Sequence, residues 1–225
     1  MWRKPSEQER DVSDPSADQQ PAPVSVRAQI LSTEHWSLLA TRGLAWNESF
    51  SRASWFLTVV SATVVALALV ADSTGFGPGF RLFALVLLPL LVVIGVATVV
   101  RLVQLNSEDV ELVAGMNRLR RGYLDLAPEL EPYFVTGHRE DVAGLMQTYG
   151  VRRARIPAGQ YLSSIALLVS VIVAVLIGAL AGMIGDAAGA GLEAAIGVGV
   201  AAGVVALAVL VRLVVRQVNR TWERR

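Results

Sequence analysis

Five side chains that could bind a metal ion or transfer protons lie close together in the middle of the chain. They are Asp125, Glu129, Glu131, His138 and Asp141. A metal site needs its ligands at spacings such as H-E-x-x-H or a repeated D-x-D, and neither pattern occurs among these residues. A proline also interrupts the one pair of acids that are four residues apart. We therefore interpret them as solvated side chains of a small helical module, and predict no metal, no cofactor and no enzymatic activity.

Other catalytic fingerprints are missing as well. The glycines of residues 75–79 imitate a phosphate-binding loop, but the run contains a proline and no lysine follows it, so we interpret it as a turn. The chain has no G-x-S-x-G or nucleotide-binding pattern. Its arginines are not interleaved with aromatic side chains in the manner of a nucleic-acid binder, so we predict no nucleic-acid partner.

Basic side chains suited to an acidic partner remain as candidates. One group lies in a predicted helix and comprises Arg118, Arg120, Arg121 and Tyr123. A second group recurs at every fourth position near the C-terminus, as a stripe on one helix face, and comprises Arg212, Arg216, Arg220 and Arg224. The stripe is typical of a helix end whose arginines reach the membrane surface and set the topology. The alternative is a surface for anionic lipids or an acidic protein.

The composition indicates which elements must position these residues. Of the 225 residues, 53% are hydrophobic and only 17% are charged, which is typical of a membrane protein. The net charge of +1 gives no general attraction to nucleic acid. The chain has no cysteine, which excludes disulfides and thiolate metal sites.

Four uncharged segments approach or exceed the roughly 20 residues needed to cross a bilayer. The short connections between the first two and between the last two predict two helical hairpins. The fold class is therefore an all-α membrane protein with two transmembrane helical hairpins, a short cytosolic helical insert and an N-terminal amphipathic helix. The predicted segments are a disordered tail (1–25), an amphipathic interfacial helix (26–54), hairpin 1 (55–103, spans 55–71 and 82–100), the insert (104–160), hairpin 2 (161–211, spans 161–185 and 194–211) and a basic cytosolic tail helix (212–225).

Arginine lies mainly on one side of these spans. Basic residues cluster before the first span, around the insert and after the last span, whereas the two hairpin loops hold only Arg81. Because basic loops stay in the cytoplasm, both termini and the insert are expected there, in a bacterial plasma membrane. No ionisable residue lies within the spans, which makes a proton-coupled or ion-coupled transporter a poor interpretation.

The helix before the first span is expected to begin at Ser32 or Thr33, which could cap it. It could lie in the membrane interface or pack on the insert. In the insert, apolar residues follow the alternating three- and four-residue spacing of a coiled-coil-like helix, with Asp109 at one apolar position. If that helix is unbroken, Arg118 lies about 27 Å beyond the span end. A break at Asn106 would instead bring its arginines down to the membrane.

A second, shorter helix of the insert is expected from Thr136, as its cap, to Thr148, with Gly150 as its stop. Small residues also recur at every fourth position on the last two spans, where they allow close packing between spanning helices. Pairing within the hairpin and pairing between subunits are both open. These candidate packing residues are Ala174, Gly178 and Gly182 on the third span, and Ala195, Gly199 and Gly203 on the fourth.

The run GMNRLRRGYLDLAPELEPYFVTGH, residues 115–138, resembles a stretch in uncharacterised bacterial multi-pass (four-span) membrane proteins. That family carries no known activity, so the resemblance implies the architecture and no site residue. We predict a non-enzymatic scaffold or regulatory subunit acting through its cytosolic helices, with a homo-oligomeric pore or membrane-perturbing effector as the alternative. The expected partners are the lipid bilayer, including anionic lipids, and a second copy or another protein.

Overall fold

The computed structural model describes residues 21–150 and 165–223, and these residues form helices without a strand. The predicted tail up to residue 20, the arginines at 152, 153 and 155, and Arg224 lie outside the described residues. The helices are α1 (Val24–Thr74), α2 (Pro78–Leu126), a 3-10 helix η1 (Pro128–Tyr133), α3 (Val142–Thr148), α4 (Ile165–Ala187) and α5 (Leu192–Glu223). Among them, α1, α2, α4 and α5 are long and apolar enough to cross a membrane. The prediction of an all-α chain with four such helices is confirmed.

The first two helices are much longer than a bilayer is thick. With 51 and 49 residues, each extends roughly 75 Å, whereas the hydrocarbon core measures about 30 Å. Only residues 75–77 separate them, and they pack against each other. Both helices therefore continue well past their apolar parts. We call this extension the stalk, formed by residues 24–54 of α1 and 101–126 of α2 together with η1 and α3.

Helix α1 runs without interruption through the predicted start at Ser32 or Thr33, so that prediction is wrong. The helix begins directly after Pro23, and the Thr33 hydroxyl donates to the carbonyl of Gln29 at 2.9 Å, as in a helix interior. The predicted amphipathic helix and the first span are one element. Its stalk part packs on α2, where Leu38 lies against the small residue Gly115.

Helix α2 is likewise continuous through Pro89 and Asn106. Of the two alternatives that the sequence left open, the unbroken helix is the one observed, and the turn after Asn106 bonds to its own helix and to α1. The Ser107 hydroxyl donates to the carbonyl of Val103 at 3.2 Å. Asp109, which could have started a new helix, instead accepts hydrogen bonds from α1. The arginines of this stretch therefore stay far from the apolar part of the bundle.

The apolar parts of α1, α2 and α4 meet around Gly95. A Cβ atom there would overlap Val173 of α4 and lie 3.0 Å from the ring of Phe56 of α1. Both neighbours are buried in the main core cluster. Glycine at this position lets three helices approach one another, and α2 occupies the centre of the bundle, with contacts to α1, α4 and α5.

Helix α3 starts later than predicted. It begins at Val142, where the carboxylate of Asp141 accepts the backbone N–H of Gly144 at 3.0 Å, so Asp141 rather than Thr136 is the cap. Residues 134–141, which follow η1, are irregular. The predicted stop is right, since Gly150 has a φ of 72°, which favours glycine.

Candidate functional site

The centre of the stalk is a buried carboxylate. Asp109 of α2 accepts hydrogen bonds from Arg42 Nε at 2.7 Å, from the Tyr149 hydroxyl at 2.7 Å and from Trp46 Nε1 at 3.3 Å. Its side chain is 9% exposed. One acid therefore joins α1, α2 and the end of α3, and its charge is matched by the guanidinium of Arg42.

The surroundings of this acid are shielded from water. Burial raises the pKa of the Tyr149 phenol, and the negative charge of Asp109 raises it further. The phenol therefore stays neutral and donates its hydrogen. The guanidinium of Arg42 also lies over the Tyr149 ring, 5.7 Å from its centre, so the arginine contacts both the acid and the aromatic face.

A second buried polar group lies about two turns further along α2. Asn117, which is fully buried, donates from Nδ2 to the carbonyl of Arg139 at 2.7 Å. Its Oδ1 accepts from Arg120 Nη1 and from the Thr148 hydroxyl, each at 2.8 Å. Asn117 thus bonds both the irregular segment after η1 and helix α3 to α2, which fixes the insert on the stalk.

Charged side chains also tie the two long helices together near the apolar part. Arg101 of α2 donates from Nε and Nη2 to the two carboxylate oxygens of Glu48 of α1, both at 3.0 Å, and Arg52 Nε reaches Glu48 at 2.8 Å. These hydrogen bonds, from Arg101 first, lower the pKa of Glu48 to about 2. The bidentate geometry holds α1 and α2 in register where they enter the bundle.

The stalk acids therefore make structural contacts. Asp109, Glu48 and the cap Asp141 are each bonded as described, and Glu140 is paired with Arg118 at 2.5 Å. Among the residues described, no group of three or more His, Cys, Asp or Glu is placed to hold a metal ion. The arrangement of these four acids holds the helices of the stalk together.

The predicted arginine cluster is divided by the structure. Arg118 is exposed and bound to Glu140, and Arg121 is exposed. Arg120 is buried, with 8% of its surface exposed, and its pKa is lowered by burial and by the charge of Arg42. Arg120 therefore belongs to the interior and is unavailable to a partner, because a helix turns its neighbouring residues to different sides.

Tyr123 is half-buried between α1 and the segment after η1. Its ring lies 6.0 Å from that of His35 and 6.5 Å from that of Phe134. Burial and the charge of Arg120 lower the pKa of His35. The ring contact with Tyr123 thus places His35 against α2, in the interior of α1.

The far end of the stalk exposes apolar side chains. Leu130 and Tyr133 of η1 are 43% and 78% exposed, and Val135 is 91% exposed. We call these three residues the tip patch. The arginines Arg118 and Arg121 are exposed in the last turns of α2, next in sequence to η1. The exposed acids Glu129 and Glu131 belong to the same short helix, so the patch is apolar surface flanked by charge of both signs.

The C-terminal stripe lies on the last turns of α5. Arg212, Arg216 and Arg220 are exposed, and Val214 packs against the main core cluster. Arg224 lies outside the described residues. On this helix end Val214 thus faces the bundle, whereas the arginines and the apolar Leu213 and Val215 are exposed.

The predicted packing residues meet between α4 and α5. A Cβ atom at Gly178 would lie 2.8 Å from the carbonyl oxygen of Gly199, and the reverse distance is also 2.8 Å. The other pairs are Gly182 with Ala195, and Gly203 with Ala174. The structure therefore brings these two faces together within one chain.

Beside this contact runs an apolar groove of about 670 Å³ between α4 and α5. The glycines form its floor, and valines such as Val171 and Val204 form its sides. Asp186 lies at one end, paired with Arg81 of α2 at 2.9 Å. This ion pair joins the two loop-bearing ends of the helix pairs.

Sequence reasoning missed most of the buried polar residues. Asp109 was recognised as the exception in an apolar helix face, which is the signal that could have identified it. Arg42, Asn117 and Tyr149 gave no such signal, because their partners are 67, 22 and 40 residues away. Comparisons with protein-family models, with curated proteins and with solved structures give no match for this chain.

Proposed function

We propose that this chain is a non-enzymatic membrane scaffold that holds a protein partner at the cytoplasmic face of a bacterial plasma membrane. The two helical pairs would anchor it, and the stalk would carry the partner surface. The observation that carries the proposal is the tip patch, a set of exposed apolar side chains held at the end of a rigid helical rod. Monomeric proteins rarely expose a contiguous apolar patch, so apolar side chains exposed on an element that is fixed in place indicate an interaction surface.

The orientation is supported by the placement of charge. Arg42, Arg52 and Arg101 lie at the stalk end of the bundle, where the basic residues after the fourth apolar segment also lie. At the opposite end the single arginine, Arg81, is paired with Asp186. Basic segments remain in the cytoplasm, so we infer that the stalk and both termini are cytoplasmic.

Accessibility of single cysteines tests this orientation, because the natural chain contains none. Val135→Cys lies on the tip patch, and Phe76→Cys lies at the loop end with 76% exposure. In intact cells a membrane-impermeant maleimide should label Phe76→Cys and reach Val135→Cys only after lysis. The opposite labelling pattern would place the stalk outside the cell and refute the proposal.

Photo-crosslinking tests the partner. A photoreactive amino acid at Tyr133 should trap one specific protein in native membranes, whereas the same group at Phe76 should not trap it. Tyr133→Asp should abolish the adduct captured from Val135 without changing thermal stability, since both side chains are exposed. An identical adduct pattern from Tyr133 and Phe76 would contradict the scaffold proposal.

A homo-oligomeric pore is the second candidate. It is favoured by hydroxyl side chains on the exposed side of α1 at the start of its apolar part, namely Ser54, Thr58 and Ser61. The Thr58 hydroxyl donates to the carbonyl of Ser54, as the interior Thr63, Thr98 and Ser170 hydroxyls do to carbonyls of their own helices. Leakage of a small dye from liposomes carrying the purified protein would favour the pore, and tight liposomes would favour the scaffold.

A further inference from the structure

One side of α1, adjacent to the side that packs on α2, carries an apolar strip along the stalk, and its member Trp46 also donates to Asp109 of α2. Its residues follow one another at alternating steps of three and four, and all are exposed. They are Trp36, Leu39, Gly43, Trp46 and Phe50, with the tryptophans 69% and 49% exposed and Phe50 51% exposed. This spacing places them on one face of the helix.

Charge is absent from this face. Glu34, Glu48 and Arg52 lie about 160° around the helix from the centre of the strip. Arg42 lies nearer but is turned towards Asp109. A helix face in water normally carries charged residues, so an uncharged face with two tryptophans indicates a surface that is covered in the functional protein.

The spacing has one additional step of four residues, from Phe50 to Ser54, and the strip then continues into the apolar part of α1. This continuation begins at Ser54, the last residue of the stalk, and goes on through Leu57, Ser61, Val64 and Ala68, all exposed. Small residues recur at every seventh position, at Ser54, Ser61 and Ala68. Spanning helices associate through such residues, which allow close approach and hydrogen bonding between helices.

The shape of the strip limits what can cover it. Lipid can cover the part within the bilayer, but the stalk part extends roughly 30 Å further at 1.5 Å per residue. The occupant must therefore follow α1 from the membrane into water as a continuous helix. Helix α1 itself has this form, and two copies inserted in the same orientation present their strips at equal heights.

We propose that two copies of this chain associate along the strip, with their α1 helices parallel about a two-fold axis normal to the membrane. In such a dimer each strip residue meets its counterpart. Gly43, whose side-chain position has no atom within 4 Å, and the serines within the membrane bring the two helix axes close. The strip is about 50 Å long and 10 Å wide, so the contact involves on the order of 1,000 Å² in total, which is near the lower limit for a specific interface.

Disulfide cross-linking in lipid nanodiscs or native membranes tests this pairing directly. Gly43→Cys and Ser61→Cys should form dimers under mild oxidation, because residues on the two-fold axis come within disulfide distance. Leu44→Cys and Ala62→Cys are matched controls, one residue further along and exposed on a different side of α1. They should remain monomeric.

Charge reversal of the strip provides a second measurement. Leu39→Glu, at an exposed position, should weaken dimerisation of the purified full chain by at least about tenfold, because two carboxylates would face each other. Leu44→Glu should leave it unchanged. The inference is overturned if native mass measurement finds only monomers, if cross-links form equally at control positions, or if the strip cross-links only to a different protein. A monomer that still gives the specific Tyr133 adduct would overturn the dimer and leave the scaffold proposal standing.

Discussion

Asp109 shows how one residue fixes the geometry of the stalk. A carboxylate removed from water is costly unless its charge is matched and its oxygens are hydrogen-bonded. Arg42, Tyr149 and Trp46 meet this requirement together, and each belongs to a different turn or element. The acid therefore stabilises only the arrangement in which α1, α2 and α3 are all in place.

Replacing this acid should loosen the stalk. Asp109→Asn keeps the shape but leaves the half-buried Arg42 without its counter-charge, so we expect a loss of about 2 kcal/mol in the free energy of unfolding. The matched control is Glu108→Gln, since Glu108 is 51% exposed and pairs with Arg101 in a wetter site. Its cost should stay below about 0.5 kcal/mol. Chemical unfolding in detergent measures both, and equal losses would contradict the central role of Asp109.

The phenol of Tyr149 gives a pH-dependent signal. Because its pKa in the folded stalk is raised, the neutral phenol stabilises the fold fully below its ordinary pKa of about 10. That contribution is lost as the pH rises through the raised value. In an ultraviolet titration, Tyr149→Phe should leave the phenolate step near pH 10 unchanged, because the Tyr149 phenol stays neutral there. A smaller step in the variant would show that Tyr149 is solvated.

Asp109 and its partner Arg42 also show which features a sequence pattern can predict and which it cannot. Spacing identified the apolar face on which Asp109 lies, because that pattern is local to one helix. Spacing could not identify Arg42 as the partner, since the pairing depends on how α1 and α2 align and the two residues are 67 apart in sequence. The four apolar helices were predicted correctly for the opposite reason, as each depends only on its own composition.

At the level of helices, residues that favour a cap indicated helix starts that do not occur, because tertiary packing favours a continuous helix at those positions. Ser32, Thr33 and Asn106 are all good caps, yet each lies inside a long helix. A cap stabilises by about 1 kcal/mol, whereas packing two long helices along their whole length contributes more. Asp141 does act as a cap, because the segment before it is irregular and no packed helix continues through it.

The change in stability caused by substitution with alanine distinguishes a residue inside a helix from a residue that caps one. Asn106→Ala should leave stability unchanged or raise it by up to about 0.5 kcal/mol, because alanine is the better residue inside a helix. Asp141→Ala should cost about 1 kcal/mol through loss of the bond to Gly144. Thermal unfolding of both variants provides the comparison. A loss of similar size for Asn106→Ala would indicate that α2 does begin anew there.

The contact between α4 and α5 depends on the absence of side chains. Gly199→Val would force branched carbons against the backbone of Gly178, so we expect a loss of about 2 kcal/mol. Gly197→Val is the matched control on the same helix, because no atom lies within 4 Å of its side-chain position. Unfolding in detergent measures both. Equal stability of the two variants would contradict the close approach.

For the whole molecule, the decisive feature is that the first two helices serve as both anchor and stalk. Their apolar parts join α4 in one core, and their polar parts carry η1 and α3. Because no loop separates the two regions in α1 or α2, the tip patch is held at a defined height and direction relative to the bundle. A scaffold of this kind would present its partner at a fixed distance from the membrane.

The distance from one end of α2 to the other tests this account most directly. The distance between spin labels at Gly79→Cys and Arg121→Cys, in the otherwise cysteine-free chain, can be measured by pulsed electron paramagnetic resonance in nanodiscs. A continuous helix predicts a single narrow distribution centred at roughly 60 Å, from 1.5 Å per residue. A stalk folded down at Asn106 would give about 45 Å, and a flexible joint would give a broad distribution. Either of these results would contradict a rigid stalk.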